Sequence, residues 1–242
     1  MSSKYILRLI NISKRFGGIV ALKDVNIDIY RGEVLGLIGP NGAGKTTLIN
    51  IISGMYYPDS GKVYFEEIDI TKMPPYKRKG IARTFQTTKA FEGLSVLDNV
   101  KIASYVTTGD LDEAEAEARD ILTKLGLRER IYSLAKDLNV LERKRLELAR
   151  ALALKPRLLL LDEVMAGLKP YEADEIIEIL KRLNEEGITM IVVEHVIRTI
   201  TKLCSRIVVL DHGEKIAEGS PEEIIRDPRV VKAYLGETYA PT

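Results

Sequence analysis

The sequence predicts an α/β fold: a parallel-sheet core, an antiparallel β layer near the N-terminus and an inserted helical subdomain. Three observations carry this prediction. Short strand-like segments separated by turns come first, a glycine-rich loop then joins a strand to a helix, and buried strands alternate with helices towards the C-terminus. A block of helical periodicity lies between the two halves, so we expect it to be inserted into one α/β core.

The N-terminal part of the chain holds the segments expected to form strands. Apolar or alternating stretches occur at residues 5–12, 25–30, 34–38 and 62–65. Turn signals separate them at Phe16-Gly17-Gly18, at Arg31-Gly32 and at Pro58-Asp59-Ser60-Gly61. This pattern predicts an antiparallel layer packed beside the strand at 34–38.

That strand leads into the most informative stretch of the chain, a G-x-x-x-x-G-K-T loop followed by a helix-like run. Glycines let consecutive backbone N–H groups turn around an anion, and the following helix directs its positive end at the same phosphates. Lysine in this pattern reaches the β- and γ-phosphates, and the next threonine hydroxyl binds Mg²⁺. The alternative is a chance glycine-rich turn. The expected nucleotide-binding residues are Gly39, Pro40, Asn41, Gly42, Ala43, Gly44, Lys45, Thr46 and Thr47.

Helical periodicity dominates the middle of the chain. Residues 111–125, closed by Gly126, predict one amphipathic helix, and residues 142–154 predict a second. Strands return at 158–161, 189–193 and 207–210, with a helix at 172–185 between the first two. This alternation predicts a parallel sheet of the mononucleotide-binding kind.

Two of the later strands end in residues suited to metal binding or catalysis. Asp162 and Glu163 follow a buried leucine strand: the first can bind Mg²⁺, and the second can act as general base on water attacking the γ-phosphate. His195 ends the strand at 189–193 and is expected to contact the γ-phosphate or that water. The alternatives are an ordinary polar turn for the acidic pair and a structural role for the histidine.

Composition narrows the class of partner. The net charge of +1 over 242 residues argues against a broad nucleic-acid-binding surface, so we expect no nucleic acid partner. Cys204 is the only cysteine and is expected to be a small buried hydrophobe. No apolar run approaches the ~20 residues that span a bilayer, which favours a cytoplasmic chain. Gln86 is the only glutamine, and this scarcity of amides is typical of heat-adapted proteins.

The order of these features resembles the ATPase subunit of ATP-binding cassette (ABC) transporters over essentially the whole chain. The resemblance implies a P-loop NTPase (RecA-like) core, ATP and Mg²⁺ as cofactors, and a peripheral position on the cytoplasmic face of the membrane. It also implies permease subunits, a second ABC ATPase subunit (identical or paralogous) and, indirectly, a solute-binding protein as partners. Residues 1–242 would form one ABC ATPase domain, with 1–86 and 155–242 as the nucleotide-binding core with its β layer and 87–154 as the helical subdomain.

The resemblance assigns further roles by position. Phe16 matches the aromatic that stacks on adenine, although a core aromatic is the alternative. Gln86, in Arg83-Thr84-Phe85-Gln86, matches the glutamine that contacts Mg²⁺ and water and touches the membrane subunit. Residues 85–95 would form that contact, with Phe91, Leu94 and Val96 lining a groove or, more plainly, a local core. Residues 138–150 match the signature helix, and residues 166–170 match the loop that crosses the dimer interface.

A closer resemblance is to the branched-chain amino-acid importer ATPases. It rests on Arg83-Thr84-Phe85-Gln86, on Ala166-Gly167-Leu168-Lys169-Pro170 and on the C-terminal stretch from Ile216 to Glu237. The lipopolysaccharide-exporter ATPases are similar enough to leave the substrate open. A soluble ABC ATPase of translation or DNA repair, and a largely structural subunit with low turnover, are the alternatives.

The chain departs from the family pattern in three places. The signature Leu-Ser-Gly-Gly-Gln reads Leu138-Asn139-Val140-Leu141-Glu142, the proline after the acidic pair is Val164, and the interface-loop aspartate is Lys169. Asn139 keeps a donor for the partner's nucleotide and can cap a helix. Leu141 occupies space that glycine leaves for phosphate. The signature is therefore expected to limit hydrolysis, unless Asn139 substitutes and Leu141 turns aside.

Overall fold

The computed structural model describes residues 4–84, 90–194 and 197–235. Ten strands and eight α-helices form within these ranges. The strands are β1 (Tyr5–Phe16), β2 (Ile19–Tyr30), β3 (Val34–Ile38), β4 (Ser60–Phe65), β5 (Ile68–Asp69), β6 (Ile81–Arg83), β7 (Leu158–Asp162), β8 (Thr189–Val193), β9 (Arg206–Asp211) and β10 (Glu214–Gly219). The helices are α1 (Lys45–Ser53), α2 (Val96–Thr108), α3 (Leu111–Lys124), α4 (Val140–Leu152), α5 (Pro170–Glu185), α6 (Ile197–Leu203), α7 (Pro221–Arg226) and α8 (Pro228–Leu235).

The chain divides into two compact units, the first of which comprises Met1–Arg78 and Asn184–Thr242. Its antiparallel layer has the strand order β2-β1-β4-β5. β1 and β2 form a hairpin whose last pair is Phe16 with Ile19. In β1, Leu7 and Leu9 are 0% and 1% exposed, as the alternating pattern predicts. A register shift follows Leu9, and Ile12 beyond it is also fully buried.

The same unit contains the parallel strands that carry the glycine-rich loop. β3 pairs in parallel with β8 on one side and β9 on the other, and β10 returns antiparallel to β9. Every residue of β3 and β8 is buried. Strands covered on both faces need continuous apolar sequence, which explains why neither strand alternates.

The second unit, Lys79–Leu183, joins a short parallel pair to helices. β6 and β7 pair in parallel, and α2, α3 and α4 follow from N-caps at Ser95, Asp110 and Asn139. Gly126, predicted to stop α3, adopts a φ of 71° just after that helix. Glycine tolerates this left-handed turn, and it ends α3 at Lys124.

The α/β fold with its antiparallel β layer is confirmed. The second helix of the helical block runs over Val140–Leu152 rather than over 142–154, because the Asn139 cap starts it earlier. The boundaries between the two compact units follow residues 78 and 183, because β6 and β7 belong to the same unit as helices α2, α3 and α4. The subdomain limits of 87 and 154 stay a prediction.

Two further expectations concern burial. Cys204 is 5% exposed, and burial raises the pKa of its thiol well above the ordinary value, so it behaves as the inert apolar residue expected. No helix in the described ranges has both the length and the apolar character required to cross a bilayer.

Candidate functional site

The glycine-rich loop at residues 39–44, called the phosphate loop from here on, follows the buried strand β3 and runs directly into α1. Its glycines Gly39, Gly42 and Gly44 have φ angles of 152°, 82° and 103°, which residues with a Cβ rarely adopt. Gly44 is the N-cap of α1, and it supplies no side-chain cap. A helix start of this kind binds anions through its backbone N–H groups and its dipole.

Two of these glycines are also required by close packing. A Cβ on Gly39 would lie 2.1 Å from the carbonyl oxygen of Leu210, at the end of β9. A Cβ on Gly44 would lie 2.5 Å from the carbonyl oxygen of Ala21 in β2. Both distances are far inside van der Waals contact, so the shape of the loop is fixed by backbone from the same unit.

Lys45 places a positive charge at this loop. Its side chain is 6% exposed, and its Nζ donates to the carbonyl oxygens of Gly39 at 2.6 Å and Pro40 at 2.9 Å. These acceptors are neutral, so a phosphate oxygen would make a stronger, charge-assisted partner for the ammonium. The structure thus holds Lys45 over the loop that it was predicted to serve.

The predicted nucleotide-binding stretch forms one continuous loop and first helical turn. Asn41, Gly42 and Thr46 are exposed, while Ala43 is 2% exposed and accepts the Gly213 N–H at 3.1 Å. An open groove of about 610 Å³ borders the loop, within the size range of small-molecule sites. Its polar lining residues outside the loop are Asp211, His212, Arg229 and Lys232.

Phe16 ends β1 with its ring 43% exposed, and therefore is not a core aromatic. Tyr56 contacts it edge-on at 5.3 Å between centroids, and the Lys14 ammonium lies 5.6 Å from its centroid. Asp59 accepts from Lys14 Nζ and from the Arg15 N–H, both at 2.7 Å, and these contacts lower the pKa of Asp59. The arrangement leaves aromatic surface accessible for stacking, as the adenine hypothesis requires.

The acidic pair begins at the end of β7, whose residues are all buried. Asp162 is 2% exposed, and its Oδ2 accepts from Arg83 at 3.2 Å. The Asp162 N–H donates to the Thr84 hydroxyl at 3.2 Å. Burial lowers the pKa of Arg83 while the carboxylate opposes that shift, so the pair is a buried ion pair with fixed geometry.

Glu163 has a left-handed backbone, with φ of 51°. A non-glycine residue in this region costs about 1–3 kcal/mol and persists only where its surroundings hold it. One such contact comes from Lys144 of α4, which is 6% exposed and donates from Nζ to the Glu163 carbonyl at 3.1 Å. Lys144 was not predicted from the sequence, although a lysine on the inward face of a helix could have indicated a buried polar contact.

The altered signature starts α4 with a capping box. Asn139 Oδ1 accepts the Glu142 N–H at 2.9 Å, and Glu142 Oε2 accepts the Asn139 N–H at 3.0 Å. The expectation that Asn139 caps a helix is confirmed. Val140 is 52% exposed and Leu141 is half-buried, so the start of this helix presents apolar side chains where the family pattern has glycines.

Two predicted residues, Gln86 and His195, lie outside the described ranges. Of the apolar residues expected beyond Gln86 to line a groove, Phe91 and Leu94 are exposed at 48% and 37%. Val96 is fully buried and therefore cannot line one. It is the first residue of α2, and its N–H donates to the Ser133 carbonyl.

The described residues contain no group of three or more His, Cys, Asp or Glu side chains that could hold a metal ion. Mg²⁺ needs no such group, because it binds through one or two protein oxygens together with substrate phosphates and water. The Thr46 hydroxyl is exposed, and Asp162 offers a carboxylate at a strand end. Each of these residues, taken by itself, offers an oxygen ligand of the kind that this hard cation prefers.

Comparison with known proteins agrees with this geometry. Residues 22–166 match the ABC transporter family, and residues 214–240 match the branched-chain amino acid ATP-binding cassette transporter family. The chain is 34% identical to the high-affinity branched-chain amino acid transport ATP-binding protein LivG of Escherichia coli K12, covering 97% of this chain and 99% of that protein. It is 39% identical to a probable LivG of Archaeoglobus fulgidus, covering 96% and 95%.

Solved structures give the same result. A nucleotide-free ATP-binding cassette from an ABC transporter superposes with a TM-score of 0.88 at 35% identity, covering 96% of this chain and all of that one. An ATP-binding cassette of an ABC transporter in its ADP conformation superposes with a TM-score of 0.88 at 34% identity, covering 97% of this chain and all of that one. The chain belongs to the ABC transporter ATP-binding proteins. The predicted family and ATPase class are confirmed.

Proposed function

We propose that this chain binds and hydrolyses ATP to drive uptake of branched-chain amino acids, or a similar small polar solute, through membrane permeases. The observation that carries the choice of substrate is the match of residues 214–240 to the branched-chain amino acid cassette family, beyond the general ABC match. Near-full-length similarity to two LivG proteins supports it. The near-zero net charge gives no support to a nucleic acid partner.

In this proposal, the phosphate loop holds the nucleotide and Lys45 faces its β- and γ-phosphates. Phe16 stacks on adenine, and Glu163 accepts a proton from the attacking water. Thr46 and Asp162 would hold Mg²⁺, which when bound supplies positive charge to the phosphates. Gln86 and His195 keep their proposed roles beside the metal and the γ-phosphate as predictions from sequence.

The proposed partners follow from the family. Permease subunits would provide the membrane path, a second cassette would complete the ATPase, and a solute-binding protein would deliver substrate to the permeases. The cassette would then sit peripherally on the cytoplasmic face of the membrane. A heat-adapted source, inferred from the scarcity of glutamine, also stays a prediction.

The altered signature favours a second candidate, a cassette with low turnover of its own. Val140 and Leu141 stand where the family has two glycines, and their side chains take up space that glycine would leave for close approach of the backbone to a phosphate. Such a chain would still bind ATP through Lys45, but rapid ATP hydrolysis would depend on a partner cassette.

Transport in proteoliposomes tests the proposal directly. The vesicles would contain the co-encoded permeases and this chain, with solute-binding protein outside and MgATP inside. We expect accumulation of radiolabelled leucine with the wild-type chain and none with Lys45→Ala. Transport of a chemically different solute in place of leucine would overturn the substrate, and failure of the chain to copurify with permeases would overturn the partner.

A further inference from the structure

The C-terminal helix α8 contacts the phosphate loop through one hydroxyl. Gly39, the first loop glycine, donates its N–H to the Tyr234 hydroxyl oxygen at 2.7 Å. The residues are 195 positions apart in sequence, and the loop motif gives no hint of this contact. A buried backbone N–H without an acceptor is costly, so an acceptor placed here stabilises the stem of the loop.

Gly39 is held from both sides of its backbone. Its N–H bonds to Tyr234 and its carbonyl accepts from Lys45 Nζ at 2.6 Å. Its α-carbon also packs so closely against Leu210 that no Cβ fits. The residue is therefore a fixed point between the cation of the loop and the C-terminal helix.

The position of Tyr234 is set by apolar packing. Val230, one turn earlier in α8, is 4% exposed. An apolar cavity of about 150 Å³ lies beneath the helix, and burial raises the pKa of Tyr234, which keeps the phenol neutral at physiological pH. The aliphatic residues lining this cavity include Ile38, Ile200, Ile207, Ile224, Val230 and Val231.

We propose that Tyr234 is a positioning residue that keeps the phosphate loop in the shape required to receive nucleotide phosphates. The inference rests on the proposed function, because it needs Lys45 to exchange its carbonyl partners for phosphate. When Lys45 leaves the Gly39 carbonyl, the Tyr234 hydroxyl still holds the Gly39 N–H. The C-terminal segment thereby acts on ATP affinity without touching ATP.

The test compares Tyr234→Phe with Val230→Ala. The first removes the hydroxyl and keeps the ring in its apolar seat, whereas the second removes packing from the same helix and keeps the hydroxyl. We expect Tyr234→Phe to raise the Kd for ATP and ADP and the KM for ATP about three- to tenfold, the equivalent of one neutral hydrogen bond, with a smaller change in kcat. Val230→Ala should lower the melting temperature, and because it keeps the Tyr234 hydroxyl it should raise the Kd less than Tyr234→Phe does.

Hydrogen exchange measures the hydrogen bond between Gly39 and Tyr234 in the absence of nucleotide. The peptide containing Gly39 should exchange its amide faster in Tyr234→Phe than in Val230→Ala, measured below both melting temperatures. Wild-type Kd and KM in Tyr234→Phe, or equal effects of the two variants on Kd, would overturn the inference. Lys45→Ala is measured in parallel, and normal ATP binding by this variant would refute the proposed function. Unchanged amide exchange at Gly39 in Tyr234→Phe would refute the role of Tyr234 independently.

Discussion

Phe16 shows how a single exposed side chain can distinguish two interpretations of the same motif. As a core residue it would be buried, but its ring is 43% exposed and is braced at its edge by Tyr56. Lys14 lies near the ring and is itself held by Asp59 at 2.7 Å. An aromatic residue that stays partly exposed beside such contacts is suited to stack on a nucleobase.

Replacing Phe16 with alanine should therefore weaken adenine nucleotides by about 1–3 kcal/mol, in line with base–aromatic stacking elsewhere. Thermal stability should fall less than it would for a core aromatic, because 43% of the Phe16 surface is already exposed. Nucleotide titration and melting curves would be recorded beside Ile19→Ala, which removes a side chain that is 73% exposed in the same hairpin. A large loss of melting temperature with unchanged affinity would return Phe16 to a structural role.

Helix α1 connects the phosphate loop to a buried arginine. The helix begins at Lys45 and ends at Ser53. Arg78 is 3% exposed and donates from Nη1 to the carbonyls of Ile51 and Ile52 at 2.7 and 2.8 Å, and from Nε to Met73 at 2.8 Å. Burial lowers the pKa of Arg78 to about 10, so it remains charged and complements the negative end of the α1 dipole.

Arg78→Met should destabilise the protein by about 2–3 kcal/mol, because several carbonyl groups lose a charged donor while the removed charge relieves part of the desolvation cost. Denaturant unfolding would measure the change against Lys77→Met, which alters the exposed neighbour in the same basic run. Equal midpoints for the two variants would contradict this role.

Sequence patterns anticipated elements well and contacts between distant residues poorly. Continuous apolar runs located β3, β7 and β8, and Gly126 located the end of α3, because these signals act within a few residues. Arg78 was hidden in a basic run, and Lys144 and Tyr234 resembled ordinary helix residues. Their partners lie many positions away along the chain, and only folding reveals which carbonyl or N–H each one meets.

The altered signature determines which kinds of ATP site a dimer containing this chain would form. In a head-to-tail cassette dimer of this family, each chain's signature faces the nucleotide of its partner. Asn139 commits its Oδ1 to the α4 cap, and Leu141 is half-buried where glycine would leave room. Two copies of this chain would then form two altered sites, whereas pairing with a conventional cassette would form one altered and one ordinary site.

We therefore expect slow hydrolysis by the isolated chain, and turnover well above the sum of the separate activities when a co-encoded second cassette is added. The double change Asn139→Ser with Leu141→Gly should raise turnover of the isolated chain. Serine can keep the capping box with Glu142, while glycine inside the helix costs about 1 kcal/mol. If steady-state turnover stays flat in the folded double variant, the signature does not limit this enzyme.

We expect this chain to hydrolyse the ATP that it binds, with Glu163 as general base. Glu163→Gln keeps the size of the side chain and removes its basicity, so calorimetric titration with MgATP should give a wild-type Kd. Turnover measured in the same preparation should fall by a factor on the order of 10²–10⁴. Undiminished phosphate release from Glu163→Gln would show that another group activates the water and that Glu163 is not the general base.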